Sequence, residues 1–154
     1  MKELKHLGAY GILINDNKIL LIKKVGGPYD GKLDLPGGTI EFSEKPEETL
    51  KRELLEEVGI KVNEFELLDA SSVVVKWVYK DELITTHHLG IFYKIISYTG
   101  EIKGDIEIDL INDDSMGAGF YDIDKLNKKE LSQIAILELE KLGYVLKEYN
   151  ESDI

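Results

Sequence analysis

Five charged side chains within fourteen positions carry the chemistry open to this sequence: Glu44, Arg52, Glu53, Glu56 and Glu57. Glu47 has Lys51 four residues on, Glu48 has Arg52, and Glu56 has Arg52 four residues back, the pairings that ordinary helix surfaces use. Glu53 and Glu57 have no counter-charge at that spacing. They sit four apart with the same sign, which costs a few tenths of a kcal/mol on an exposed helix and more where water is excluded. The bland alternative is a solvated glutamate-rich face. A hard divalent cation reverses the sign of the repulsion, since Mg²⁺ takes oxygen ligands at about 2.1 Å and commonly binds one or two carboxylates together with substrate phosphates. The cluster therefore reads as half of a metal site.

The element that must position these groups is a helix opened by Pro46 and closed by Gly59. Proline suits the first helical turn because its φ is already helical and its missing N–H has no partner there anyway. At about 100° per residue, Leu50, Leu54 and Val58 share one stripe with Leu55 beside it. Glu53, Glu56 and Glu57 share a neighbouring arc about 100° wide. One face packs and the adjacent face presents carboxylates. The start is the weaker end, because Lys45 before Pro46 is not one of the usual capping residues.

The stretch GTIEFSEKPEETLKRELLEEVGI, residues 38–60, resembles the Nudix box, G-x5-E-x7-R-E-U-x-E-E-x-G-U with U aliphatic. Gly38, Glu44, Arg52, Glu53, Leu54, Glu56, Glu57, Gly59 and Ile60 fill every specified position. A chance match is on the order of 10⁻⁹ per starting point at this composition. Arg52 is moreover the one arginine among 19 basic residues, so the single planar, always-charged fork of the chain lies inside the motif.

Composition is consistent with that family. A chain of 154 residues, 43% apolar and without an internal repeat or linker, reads as one domain over residues 1–154. Cysteine is absent, which excludes disulfides and thiolate metal sites. The first residues look strand-like rather than like a secretory signal, and no apolar run approaches the roughly 20 residues that cross a bilayer. A cytoplasmic location is the expectation, with no membrane partner. A net charge of −11 works against long nucleic acids, which demand clustered Lys and Arg, yet it does not exclude a small polyphosphate met through bound cations.

Along the chain, residues 7–14 and 18–25 read as strands joined in a hairpin through Asn15, Asp16 and Asn17. Residues 25–32 form a loop, and residues 33–40 a short extended segment broken by Pro36, Gly37 and Gly38. The family often has tryptophan near Leu33 and glycine at Ser43. Residues 65–79 and 83–98 are long strand-forming runs around the turn Lys80-Asp81-Glu82, with Trp77 read as a core or cross-strand group. Adjacent His87 and His88 must point to opposite faces and cannot form a two-histidine metal site. One packed and one exposed is the bland reading, one facing substrate the alternative. Residues 99–116 form an acidic loop or edge strand; in the family such a segment often supplies a further carboxylate, here Glu107, Asp113 or Asp114. Residues 117–123 read as a strand, and residues 131–142 as a helix packing through Leu131, Ile134, Ala135 and Leu142, closed by Gly143. Residues 150–154 are expected to fray.

The resemblance implies an α/β fold, an α/β/α sandwich with a central mixed β-sheet between the box helix and the C-terminal helix. It implies that Gly37 and Gly38 let backbone approach the helix and the substrate, and that Arg52 pairs with Glu44 to hold the loop against the helix. Glu53, Glu56 and Glu57 are then the metal ligands, for Mg²⁺ with Mn²⁺ as a substitute. Glu53 or a loop carboxylate such as Glu107 is the base. The implied reaction is hydrolysis of the pyrophosphate bond in a nucleoside diphosphate linked to another group, first a nucleoside triphosphate, oxidised ones included. ADP-ribose or a dinucleoside polyphosphate, an RNA 5′ end, and a non-catalytic nucleotide sensor are the alternatives. The partner is a small nucleotide, and the family also allows a homodimer.

Overall fold

The computed structural model describes residues 2–102 and 118–148. Strands β1 (Lys2–Ile12), β5 (Gly37–Thr39), β6 (Lys61–Tyr79) and β7 (Glu82–Thr99) form one mixed sheet in the order β5-β1-β7-β6. β1 runs parallel to β7 and antiparallel to β5, while β6 and β7 are an antiparallel hairpin. The turn of that hairpin is two residues, Lys80 and Asp81, both left-handed at φ 47° and 64°. Glu82 already pairs with Tyr79, so it belongs to the strand and not to the turn.

A second, antiparallel sheet holds β2 (Ile14–Asn15), β3 (Lys18–Lys23), β4 (Leu33–Asp34) and β8 (Ala118–Asp122). β8 follows β3 from Lys18 to Ile22, so β2 and β4, which meet only its two ends, share the other edge. The hairpin expected at residues 7–25 is thus split. The chain leaves the first sheet at Leu13 and only Ile14 and Asn15 pair with β3, across the left-handed pair Asp16 and Asn17. The segment at residues 33–40 is likewise shared, β4 in one sheet and β5 in the other.

Two cores follow from strand alternation, because successive side chains face opposite ways. Ala9, Leu13, Leu20 and Ile22 pack with Leu50, Leu54 and Val58 of the box helix. Tyr10, Ile12, Ile19 and Leu21 pack on the other side with Ile134, Ala135 and Leu139 of helix α2 (Gln133–Lys141). The central mixed sheet and its two helices are therefore as expected.

Three details of the helices differ. Leu55 is exposed, since the buried stripe is already filled by Leu50, Leu54 and Val58. α2 begins later than residue 131: Ser132 is its N-cap, with Oγ accepting from the Ala135 N–H at 3.2 Å. Leu142 stands at the helix end and is exposed, and Leu139 fills the packed face. Among the described residues no helix is long and apolar enough to cross a membrane.

Candidate active site

The box helix is built in two registers. α1 (Pro46–Glu53) is α-helical, and Leu54–Val58 continues as a π-helical turn that ends on Gly59 at φ 86°. π-turns inside α-helices recur at functional sites, and this one carries Glu56 and Glu57. At the other end Lys45 offers no side-chain cap. Its backbone N–H is instead taken by Glu48 Oε1 at 3.0 Å.

Arg52 is the hub. Its guanidinium donates from Nε to Glu44 Oε2 at 2.7 Å and from Nη2 to Glu44 Oε1 at 3.0 Å and to the Thr39 carbonyl at 3.1 Å. Nη1 donates to Glu53 Oε1 at 2.9 Å and to Glu56 Oε2 at 3.3 Å. Glu44 also accepts from the Glu41 N–H and the Thr49 hydroxyl. The donated bonds of Arg52, and then that of Glu41, hold its carboxyl down to about 2. Ser43, where the family often has glycine, takes a left-handed φ of 71° in this loop.

Glu53 and Glu57 are not the partnerless pair that helical spacing implies. Glu53 is held by its neighbour Arg52, and Glu57 Oε1 accepts the Gly37 N–H at 2.8 Å while Lys24 Nζ lies 4.0 Å from Oε2. Partners one residue away, or from another loop, are invisible to an i,i+4 count. Burial pushes both carboxyls up, Glu57 to about 7, against the opposing pull of Arg52 on Glu53 and of Lys24 and the Gly37 N–H on Glu57. The Gly37 and Gly38 pair makes this approach possible: a Cβ on Gly38 would stand 2.8 Å from the Glu53 carboxyl carbon. Glu56 turns outward, more than half exposed, toward Arg52. Among the described residues no three acidic or histidine groups converge into a ready-made metal cage. Glu107, Asp113 and Asp114 lie outside the described residues.

Beside Glu57 a cavity of about 240 Å³ opens between β1, β7 and the loop of residues 25–32, with His6, Tyr10, Lys24, Tyr29, Asp34 and His88 in its wall. The parallel register sets His6 opposite His88, and their rings stack at 4.4 Å. His88 is fully buried and His87 only partly. The Tyr10 hydroxyl meets His88 Nε2 at 2.6 Å and the Tyr29 hydroxyl meets Nδ1 at 2.8 Å. Burial, then His6 and Lys24, bring the His88 imidazole down to about 3, so the ring is neutral and takes one of these bonds as donor and the other as acceptor. At the floor, Asp34 is 1% exposed, with Oδ1 accepting from Leu35 N–H at 2.8 Å and Ser132 Oγ at 2.6 Å. Apart from His88, none of these groups stands out in the sequence. Trp77 takes no part; its Nε1 donates to Thr86 Oγ1 at 2.8 Å across β6 and β7.

The fold and the Arg52-centred carboxylate loop define the class: the chain matches the NUDIX domain over residues 4–141 and belongs to that family. It is 35% identical over 118 residues to an ADP-ribose pyrophosphatase of Methanocaldococcus jannaschii, a match spanning 77% of this chain and 62% of that protein. It is 41% identical over 63 residues to an 8-oxo-dGTP diphosphatase of Escherichia coli, spanning 40% of this chain and 49% of that protein. The chain thus spans less than two thirds of the length of these curated relatives. Among solved structures, a MutT NUDIX hydrolase from Burkholderia pseudomallei superposes with TM-score 0.66 at 25% identity, over 90% of this chain and 98% of that one.

Proposed function

We propose that the chain hydrolyses, with a divalent cation, the pyrophosphate linkage of a nucleoside diphosphate joined to another group, first a nucleoside triphosphate, oxidised ones included. The observation that carries this reading is the adjacency of two burial-perturbed carboxylates, Glu53 and Glu57, to a base-sized cavity, the two joined through Lys24. Displaced carboxyl titrations beside a cleft mark sites where charge is to be handled.

Mg²⁺ fits these residues. Burial raises both carboxyls in spite of Arg52 and Lys24, so each gains from a cation beside it, and Gly38, having no Cβ, lets the backbone stand against the Glu53 carboxyl. Glu53 and Glu57 are the holding groups, with Glu56 at the rim, and substrate phosphate oxygens complete the shell. When bound, the ion neutralises the diphosphate and lowers the pKa of water. The protein's own part is positioning. Arg52 fixes Glu53 against Glu44, the Gly37 N–H fixes Glu57, and Lys24 offers a cation to the phosphates between Glu57 and the cavity. Glu53, or a carboxylate from the acidic loop such as Glu107, takes the proton of the attacking water.

A second reading, ADP-ribose as substrate, is favoured by the likeness to the M. jannaschii enzyme over most of this chain. The test is a nucleotide panel incubated with Mg²⁺ or Mn²⁺, with products identified by mass. Turnover of a nucleoside triphosphate to monophosphate and pyrophosphate supports the first reading, AMP plus ribose phosphate from ADP-ribose the second, and no turnover of any member overturns both.

A further inference from the structure

We propose that Thr39 is a positioning residue of the reaction: it ties the wall of the cavity, at His6, to Arg52 on the carboxylate face. Position 39 is one of those that the box leaves unspecified between Gly38 and Glu44, so the motif gives it no role. The inference rests on the proposed hydrolysis and deepens it, by naming a residue through which one end of the site holds the other in place.

β5 is a terminal strand in the order of its sheet, three residues long, and two of the three are glycine. Each of the three nonetheless meets one group of the box helix. The Gly37 N–H donates to Glu57 Oε1 at 2.8 Å, the Gly38 backbone stands against the Glu53 carboxyl, and the Thr39 carbonyl accepts from Arg52 Nη2 at 3.1 Å. A shift of this short strand is therefore felt at Glu57, Glu53 and Arg52 together. Glycine in a strand weakens it and packs nothing that could resist such a shift.

Thr39 carries the one side chain of β5 larger than hydrogen. It stands opposite Gly8 of β1 in the antiparallel register, and its Oγ1 meets Nε2 of His6, two residues back along β1, at 2.8 Å. Such diagonal neighbours are within reach across paired strands. His6 lines the cavity and stacks on the buried His88 at 4.4 Å, and His88 is held on both ring nitrogens by Tyr10 and Tyr29. One end of the tie is thus a ring stack fixed to the core. The other end is the guanidinium whose donors orient Glu44, Glu53 and Glu56. The bond between Thr39 and His6 is itself exposed, so it adds little to stability. Its effect is on position, because β5 sets where the Arg52 fork and the Glu53 carboxyl come to rest.

Arg52 is the one arginine of the chain, so its Nε–H gives a single resonance. Exchange of that proton with water, followed by NMR on the full chain without metal or nucleotide, reads how firmly the guanidinium is held. Thr39→Val keeps the branched shape and the backbone carbonyl but loses the hydroxyl. Thr39→Ser keeps the hydroxyl, and His6→Phe keeps a flat ring for His88 but loses Nε2. Exchange should quicken by about fivefold or more in Thr39→Val and in His6→Phe, by no more in the double variant than in either, and stay at the parent rate in Thr39→Ser. Melting curves should coincide with the parent's. Should Thr39→Val not fold, His6→Phe carries the same test from the other end of the bond. The kinetic arm uses ADP-ribose or a nucleoside triphosphate, as the panel selects: kcat falls by about tenfold in Thr39→Val while KM changes less, and Thr39→Ser restores it. Unchanged exchange in Thr39→Val, equal losses in Thr39→Val and Thr39→Ser, or quicker exchange at full kcat overturns the assignment. Quicker exchange in Thr39→Val with no turnover by the parent would sink the hydrolase reading and leave the tie; turnover with unchanged exchange would do the reverse.

Discussion

Arg52 holds Glu44 by both carboxylate oxygens, at 2.7 and 3.0 Å, and the remaining guanidinium hydrogens go to Thr39, Glu53 and Glu56. All five N–H donors of the side chain are thereby used. One residue ties the loop before the helix to two carboxylates on it. Lysine keeps the charge but has three donors at a point and no planar fork. Arg52→Lys is expected to lower kcat by about 10- to 100-fold, the range seen when groups that orient metal ligands are removed, with the circular dichroism spectrum retained. Steady-state assays of the two proteins decide; equal turnover would mean that the orienting network is dispensable.

Glu57 supplies a pH test. Its carboxyl is pushed up to about 7 by burial, with the Glu53 and Asp34 charges adding to the rise. For an acid so raised, the neutral form is favoured by folding, so its contribution to metal-free stability is full below its ordinary range and is lost as pH rises through about 7. A cation that needs the carboxylate acts in the opposite direction. The gain in melting temperature from millimolar Mg²⁺ should therefore be larger at pH 8 than at pH 6 in the parent, and less dependent on pH in Glu57→Gln, where only the raised Glu53 carboxyl is left to titrate. At tenfold excess over Kd the ion adds about 1.4 kcal/mol. The variant should also lose about 10²-fold in kcat. An equal Mg²⁺ shift in both proteins at both pH values would place the ion elsewhere.

What was legible in the sequence was local. Gly38 to Ile60 carries its loop, helix and stop within one continuous stretch, so spacing alone gives the carboxylate face and the buried stripe of Leu50, Leu54 and Val58. The cavity was not legible, because His6, Lys24, Tyr29, Asp34 and His88 are brought together by strand pairing and a loop, not by spacing. Only the parallel register of β1 with β7 sets His6 against His88. The sheet switch at Leu13 has no glycine or proline to announce it, and Glu57's bond to Gly37 spans 20 residues. Neither leaves a periodic trace.

Glu138 is a buried carboxylate that the sequence hides on an apolar helix face. It is 3% exposed, and its hydrogen-bond neighbour is Asp69 of β6, whose partly exposed carboxylate takes Lys141 Nζ at 2.7 Å. Burial, then the bond to Asp69, push the Glu138 carboxyl up to about 8. Its stabilising effect is full below its ordinary range and lost as pH rises through about 8. Glu138→Gln keeps a donor for Asp69 and cannot ionise. It should match the parent at pH 5 and be more stable by about 1 kcal/mol or more at pH 9, as denaturant melts would measure. A variant less stable at both pH values would show that the carboxyl proton does not bridge the two residues.

Gly37 and Gly38 are adjacent, yet their substitutions should separate fold from function. At Gly37, φ is 145° and a Cβ would run into the Ala9 carbonyl and the Tyr10 Cα, atoms of a central strand that have nowhere to go. Gly37→Ala therefore combines backbone strain with a backbone clash, and a loss of about 3 kcal/mol or more is expected, enough to lower the yield of folded protein. At Gly38 the φ is ordinary, and the obstructing atoms are the Glu53 carboxyl carbon and oxygens at 2.8 to 3.1 Å. These are the far end of a flexible chain, so Gly38→Ala can fold by pushing that carboxyl aside. The displacement breaks the 2.9 Å bond from Arg52 Nη1 and moves an oxygen proposed to hold the metal. A shift of about 1 Å in such a group costs around 10²-fold in rate. Gly38→Ala should accordingly melt within about 1 kcal/mol of the parent while kcat falls by about 10²-fold and KM changes less. Full activity in Gly38→Ala would mean that the position of the Glu53 carboxyl does not matter to the reaction, and a well-folded, active Gly37→Ala would contradict the packing of β5 on β1.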